Sequence, residues 1–218
     1  MSIVGKRKTE RMTYLAILTA IVIVLQCFVT FVRFPFLPTS FNLALIPIAI
    51  GAILLGPRAG AWLGFICGAV VLIMGVTGAD IFTYTLFTVR PLMTVVICLV
   101  KTTVAGLVAG VVYRLLARRT HWGAMLTTAA AVPVVNTALF ILGALTIWQG
   151  IIETGRRIVI DSAGTTLYTE GMSAFAFILV VLVTINFFLF ELVPCLALSP
   201  AVERIIAAVK KNGGTARK

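Results

Sequence analysis

The sequence predicts an all-α integral membrane protein, a compact bundle of six transmembrane helices with both termini cytoplasmic. Three observations carry this. Of 218 residues, 61% are hydrophobic and only 11% are charged, against about 25% charged in a soluble domain. The mean hydropathy is +1.12. The apolar residues fall into six runs, and a helix needs about 20 such residues to cross a bilayer. The length therefore suits one transmembrane domain: a basic arm over residues 1–12, a bundle over 13–198 and a basic tail over 199–218.

The first span is expected over 13–31. It follows Lys6, Arg7, Lys8 and Arg11, which resemble the charged start of a signal peptide. The apolar run is longer than a typical signal core and lacks an evident small-residue cleavage site, so it reads as a retained span. A loop rich in Phe and Pro occupies 32–40. The second span, 41–55, is short, and Gly56-Pro57-Arg58 turns the chain into a third span over 59–74. A long connection, 75–91, precedes the fourth span at 92–116, which Arg118 and Arg119 close. The fifth span is expected over 123–148, a polar stretch over 149–171 and the sixth span over 172–198.

Charge sets the orientation. With the N-terminus inside, most of the 18 basic residues lie on cytoplasmic segments, as the positive-inside rule requires. Arg33, Arg90, Lys101, Arg156 and Arg157 remain in the outer half. The net charge of +11 is thereby assigned to loops beside the membrane and not to nucleic acid.

Small residues mark packing faces. Gly60, Gly64 and Gly68 recur every fourth residue, as do Gly106 and Gly110, and such ridges let membrane helices approach closely. Ala16 and Ala20 make a flat strip on the first span. Pro47, Pro133 and Pro194 interrupt spans and are expected to bend them.

Lys101 carries the strongest functional signal. It lies about nine residues below the outer end of its span, or ~13 Å at 1.5 Å per residue. A cation at depth costs about 2.5–3.5 kcal/mol on insertion scales, so it should face a cavity, a partner or a ligand. Gln26, Asn42, Asn136 and Asn186 are the other strongly polar groups expected to converge with it. Their amides offer both donors and acceptors to a hydroxyl- or amide-bearing ligand, though interhelical hydrogen bonding is an equal use. Arg90, on the third connection, has a planar fork suited to a carboxylate, with snorkelling to headgroups as the alternative. Tyr84 and Trp148 are candidates to roof an outer pocket, or belong to the interfacial aromatic belt. Glu191, in the sixth span, has no partner legible in the sequence.

Other chemistry is not indicated. Cys27, Cys67, Cys98 and Cys195 fall singly and His121 is the only histidine, so neither a metal site nor a disulfide framework is expected. No nucleotide-binding or hydrolase motif is present, so no catalytic residue and no cofactor are assigned.

The pattern as a whole resembles the substrate-binding S component of energy-coupling factor vitamin transporters. The resemblance rests on the six short spans, on Ala16-xxx-Ala20 and on Phe41-Asn42-Leu43-Ala44-Leu45-Ile46-Pro47. It continues through Leu55-Gly56-Pro57-Arg58-Ala59-Gly60-Ala61, Val100-Lys101-Thr102-Thr103-Val104-Ala105-Gly106 and Pro200-Ala201-Val202-Glu203-Arg204. It implies a non-catalytic subunit in a prokaryotic cell membrane, in contact with lipid, that captures a water-soluble vitamin in an outer pocket. It further implies a transmembrane coupling subunit and two ATPase subunits as partners, with Ala16 and Ala20 as the docking strip. Transport would then proceed by toppling of the subunit within the membrane. The segment 41–65 is most similar to the pantothenate-type members, and Arg90 and Lys101 favour an acid. Folate, biotin, nicotinate, riboflavin and cobalamin stay open as substrates. An autonomous secondary transporter, a membrane-embedded enzyme and a scaffold with purely structural polar residues are the rival readings.

Overall fold

A computed structural model describes residues 8–31, 42–118, 121–154, 158–159, 166–167, 191–197 and 204. The helices are α1 (Lys8–Phe31), α2 (Leu45–Leu55), α3 (Pro57–Val76), α4 (Ile81–Val89), α5 (Pro91–Leu116), α6 (His121–Thr154) and α7 (Val193–Ala197). Four of them are long and apolar enough to cross a membrane, over Lys8–Val29, Pro57–Val76, Pro91–Leu116 and Trp122–Gly143. The expected sixth span lies almost wholly outside the described residues.

The second run forms a helix of 11 residues, about 16 Å long at 1.5 Å per residue, too short to cross a hydrocarbon core of about 30 Å. Nine of its residues are buried, including Leu45, Ile48, Ala52 and Leu55. A helix that is apolar on every side belongs inside a bundle, and α2 is packed by α1, α3, α5 and α6. Its brevity is the geometry of a core helix.

The connection 75–91, expected as a loop, contains α4. Asp80 takes an extended conformation at its start and accepts a 2.6 Å hydrogen bond from Thr83 Oγ1. Arg90 alone joins α4 to α5 with φ −140° and ψ 85°. The ring of Pro91 excludes helical geometry from the residue before it, and proline suits the first helical position because its missing N–H has no partner there. A second departure from an all-helical chain is a two-residue antiparallel ladder, β1 (Ile158–Val159) with β2 (Thr166–Leu167), pairing Ile158 with Leu167 and Val159 with Thr166.

The prolines differ from expectation. Pro47 falls in the first turn of α2 and Pro194 in the first turn of α7, where a missing N–H costs little. Only Pro133 is inside a helix. Pro194 cannot donate to a carbonyl one turn back, and the chain widens into a π-type turn at Glu191 and Leu192 just before it.

Helices α3 and α5 run antiparallel with their backbones in contact. A Cβ on Gly60 would overlap the Gly106 carbonyl oxygen, one on Gly64 the Thr102 carbonyl and one on Gly68 the Cys98 carbonyl. On the opposite face of α5, Val96, Val100, Leu107 and Val111 are exposed, a pattern suited to lipid. The α2–α3 turn needs glycine for a different reason. Gly56 has φ 97° and ψ 179°, a region closed to side chains.

Two arginines converge on that turn. Arg11 Nη2 donates to the Leu55 carbonyl at 2.9 Å, and Arg114 Nη2 lies 2.9 Å from where a Gly56 Cβ would stand. The last carbonyls of α2 have no helical partners and carry the negative end of its dipole, so cations are the fitting complement.

Gly64→Ala is expected to lower stability by about 1–3 kcal/mol, the cost of overpacking. Gly51→Ala should cost less, because its Cβ meets the flexible end of Leu63. Thermal unfolding of the two variants in detergent compares them.

Candidate functional site

Measured along the helices, a level of polar side chains lies roughly 15–20 Å from the arginine end, at 1.5 Å per residue. Gln26 on α1, Asn42 just before α2, and Cys67 on α3 meet there. The Cys67 thiol lies 3.7 Å from Gln26 Oε1 and 3.8 Å from Asn42 Oδ1. All three are buried. The glycine ridge sets this level on α5 as well, because Gly68 abuts Cys98 and Gly64 abuts Thr102, with Lys101 between them in sequence.

Lys101 is half-buried. Its Nζ stands 4.5 Å from the centre of the Phe140 ring on α6, a cation–π contact that offsets part of its desolvation. Among the described residues no carboxylate forms a direct ion pair with it.

Glu191 completes the level. It is 7% exposed. Its Oε2 accepts a 2.8 Å hydrogen bond from Thr137 Oγ1, and Asn136 is the preceding residue on α6. A buried carboxylate is tolerable when hydrogen-bonded in this way. Thr102 and Thr128 return their hydroxyls to the carbonyls of Cys98 and Ala124 one turn back, the ordinary solution for threonine in a helix. Thr137 instead reaches across to another element. Asn136 is 3% exposed and its Oδ1 has no hydrogen-bond partner among the described residues.

The expected site residues therefore separate into groups. Lys101 meets α6 at Phe140 and Asn136 adjoins Thr137, the donor to Glu191, while Gln26 and Asn42 come together at Cys67. Arg90 is half-buried at the α4–α5 junction and Tyr84 on α4 is 45% exposed. Trp148 lies within α6, and its side chain is outside the described set. Asn186 lies outside the described residues. Ala16 and Ala20 are both exposed on α1. Glu191, Thr137, Phe140 and Cys67 were absent from the expected set. Only Glu191 carried a signal, as an unpaired carboxylate in an apolar run. The threonine and phenylalanine look like ordinary span residues until the helices are assembled.

The substrate-specific component family of ECF transporters matches residues 10–203, nearly the whole chain. The protein belongs to that family. A pantothenic acid transporter, PanT, of Lactococcus lactis subsp. cremoris (strain MG1363) is 40% identical to it over 95 residues. That alignment covers 42% of this chain and 45% of the Lactococcus protein, so the likeness spans less than half of either. As a transporter component, the chain is assigned a role in membrane transport, and the level of buried polar groups is the part of the S component that chemistry singles out.

Thr137→Val is expected to destabilise the protein by about 1–3 kcal/mol, because the Glu191 carboxylate loses a buried donor. Thr127→Val, which affects an exposed residue bonded to its own helix, should be near neutral. Melting temperatures of the two purified variants provide the comparison.

Proposed function

We propose that this chain is the substrate-binding subunit of an ATP-driven importer and that its substrate is the vitamin pantothenate. Membership of the substrate-specific component family carries the first part. The similarity to a pantothenic acid transporter supports the second, and the chemistry of the polar level agrees with it. Pantothenate has one carboxylate, an amide and two hydroxyls. Lys101 supplies a cation whose donors take no acceptor among the described residues, and the Asn136 and Glu191 oxygens supply acceptors. Arg90 is a further cation of the outer half, and Gln26, Asn42, Asn186, Tyr84 and Trp148 complete the proposed binding set.

In this reading the binding half faces outward, both termini are cytoplasmic and the protein sits in a prokaryotic plasma membrane. The energy comes from partners: a transmembrane coupling subunit and two ATPase subunits. Ala16 and Ala20 are the proposed docking strip on α1. Alanine leaves the α1 backbone approachable, which is what a packed helix–helix contact in lipid requires. After docking, the subunit would topple and present its ligand to the cytoplasm.

The test is ligand-induced thermal stabilisation of the purified chain against a panel of water-soluble vitamins. At 100 times its dissociation constant a ligand adds about 2.7 kcal/mol of stability. Pantothenate is expected to stabilise the wild type, with the shift lost or strongly reduced in Lys101→Met and Arg90→Gln. Stabilisation by a different vitamin would replace the substrate. A panel without any response would overturn the binding reading. Separately, Ala16→Leu with Ala20→Leu is expected to leave vitamin binding intact and abolish uptake in cells, which isotope-uptake assays would read.

A further inference from the structure

The polar level has two ends of opposite hydrogen-bonding character. On α5, Lys101 has three N–H donors and no acceptor, and among the described residues none of those donors is taken by an acceptor; its one recorded contact is the Phe140 ring. On α6 and the turn before α7, the unfilled capacity is of the reverse kind. Asn136 Oδ1 is buried and has no donor among the described residues. The Glu191 carboxylate has room for about four donors, of which Thr137 supplies one among the described residues.

From this we infer that Glu191 and Asn136 form a specificity-determining subsite for a hydroxyl or amide N–H donor on the ligand, at the end opposite its carboxylate. The inference rests on the proposed binding function and adds to it an orientation and a selection rule. The acid end of the ligand lies at Lys101, and its donor-bearing end lies at Asn136 and Glu191. A ligand carboxylate placed beside Glu191 would meet a second acid, so the reversed pose is disfavoured. An acid without a hydroxyl leaves Asn136 Oδ1 unfilled and sits near the Glu191 charge with nothing in return. Sites built to hydrogen-bond a ligand hydroxyl reject analogues that lack it more strongly than sites that only fit its shape.

The subsite also explains why a carboxylate is placed in the same interior as an acid-binding lysine. Glu191 lowers the attraction of the site for acids in general, and it strengthens the hydrogen bond to a donor, since charge-assisted bonds are roughly twice as strong as neutral ones. The result is weaker binding of simple acids and preferential binding of hydroxy acids.

The experiment compares pantothenate with its dideoxy analogue, N-(3,3-dimethylbutanoyl)-β-alanine, by titration calorimetry on the purified full chain. The wild type is expected to prefer pantothenate by at least about tenfold. Glu191→Gln keeps the shape and an acceptor for Thr137. It should cut the preference by about tenfold and bind the dideoxy acid more tightly than the wild type does. Asn136→Ala should also shrink the preference, through a different atom. Lys101→Met should weaken both acids and leave their ratio unchanged, because it acts at the other end. A purely structural Glu191 would alter stability but not the ratio, and an unchanged ratio in Glu191→Gln overturns the inference. Equal binding of the two acids by the wild type overturns it as well, while leaving pantothenate binding in place. Failure of both acids to bind the wild type would overturn the proposed function together with the subsite.

Discussion

The backbone contact between α3 and α5 is the constraint on which the rest of the described bundle depends. Lipid tails are as apolar as leucine, so helices in a membrane gain little from burying side chains against each other. Close approach must supply the attraction through dispersion and weak Cα–H···O contacts. Gly60, Gly64 and Gly68 set against Gly106, Thr102 and Cys98 achieve that approach over most of the shared length. The same contact fixes the antiparallel register. With no side chain to yield at these positions, a slip by even one residue would force Cβ atoms and bulky side chains into the seam. The register in turn fixes the depth of Lys101 relative to Cys67.

Around this pair the bundle divides its polar groups between two levels. At one, Arg11 and Arg114 attend the carbonyl end of α2. This is a structural use of charge: the end of a helix buried on every side needs donors, and arginine reaches it from neighbouring helices. At the other, Gln26, Asn42, Cys67, Lys101, Asn136, Thr137 and Glu191 lie in the interior. The first level satisfies carbonyls that would otherwise be orphaned. Among the described residues, the second leaves the Lys101 donors and the Asn136 Oδ1 acceptor unfilled, which sets it apart from ordinary helix packing, where polar groups find each other.

Glu191 shows how local chain chemistry serves this arrangement. Pro194 removes a backbone donor one turn downstream, and the chain takes a wider turn at Glu191 and Leu192. Such widened turns occur often at functional sites because they re-aim a side chain out of the regular helical period. Here the Glu191 side chain meets Thr137 on α6.

Composition and periodicity alone determined that this is a helical membrane protein and placed four of its membrane-length helices to within a few residues. They also identified the glycine ridges as packing faces and Lys101 as the group in need of a partner. These are properties of single segments: apolar length, the spacing of small residues and the cost of a charge in hydrocarbon are all local. The identity of α2 as a core helix was less legible, because a fully apolar run reads the same whether it faces lipid or protein, and α4 was hidden in a connection whose length resembled a loop. The pairing of Lys101 with Phe140, and of Glu191 with Thr137, was decided only by the tertiary structure. Those contacts join residues far apart in the chain, and they depend on the rotation of each helix about its own axis, which no single segment encodes.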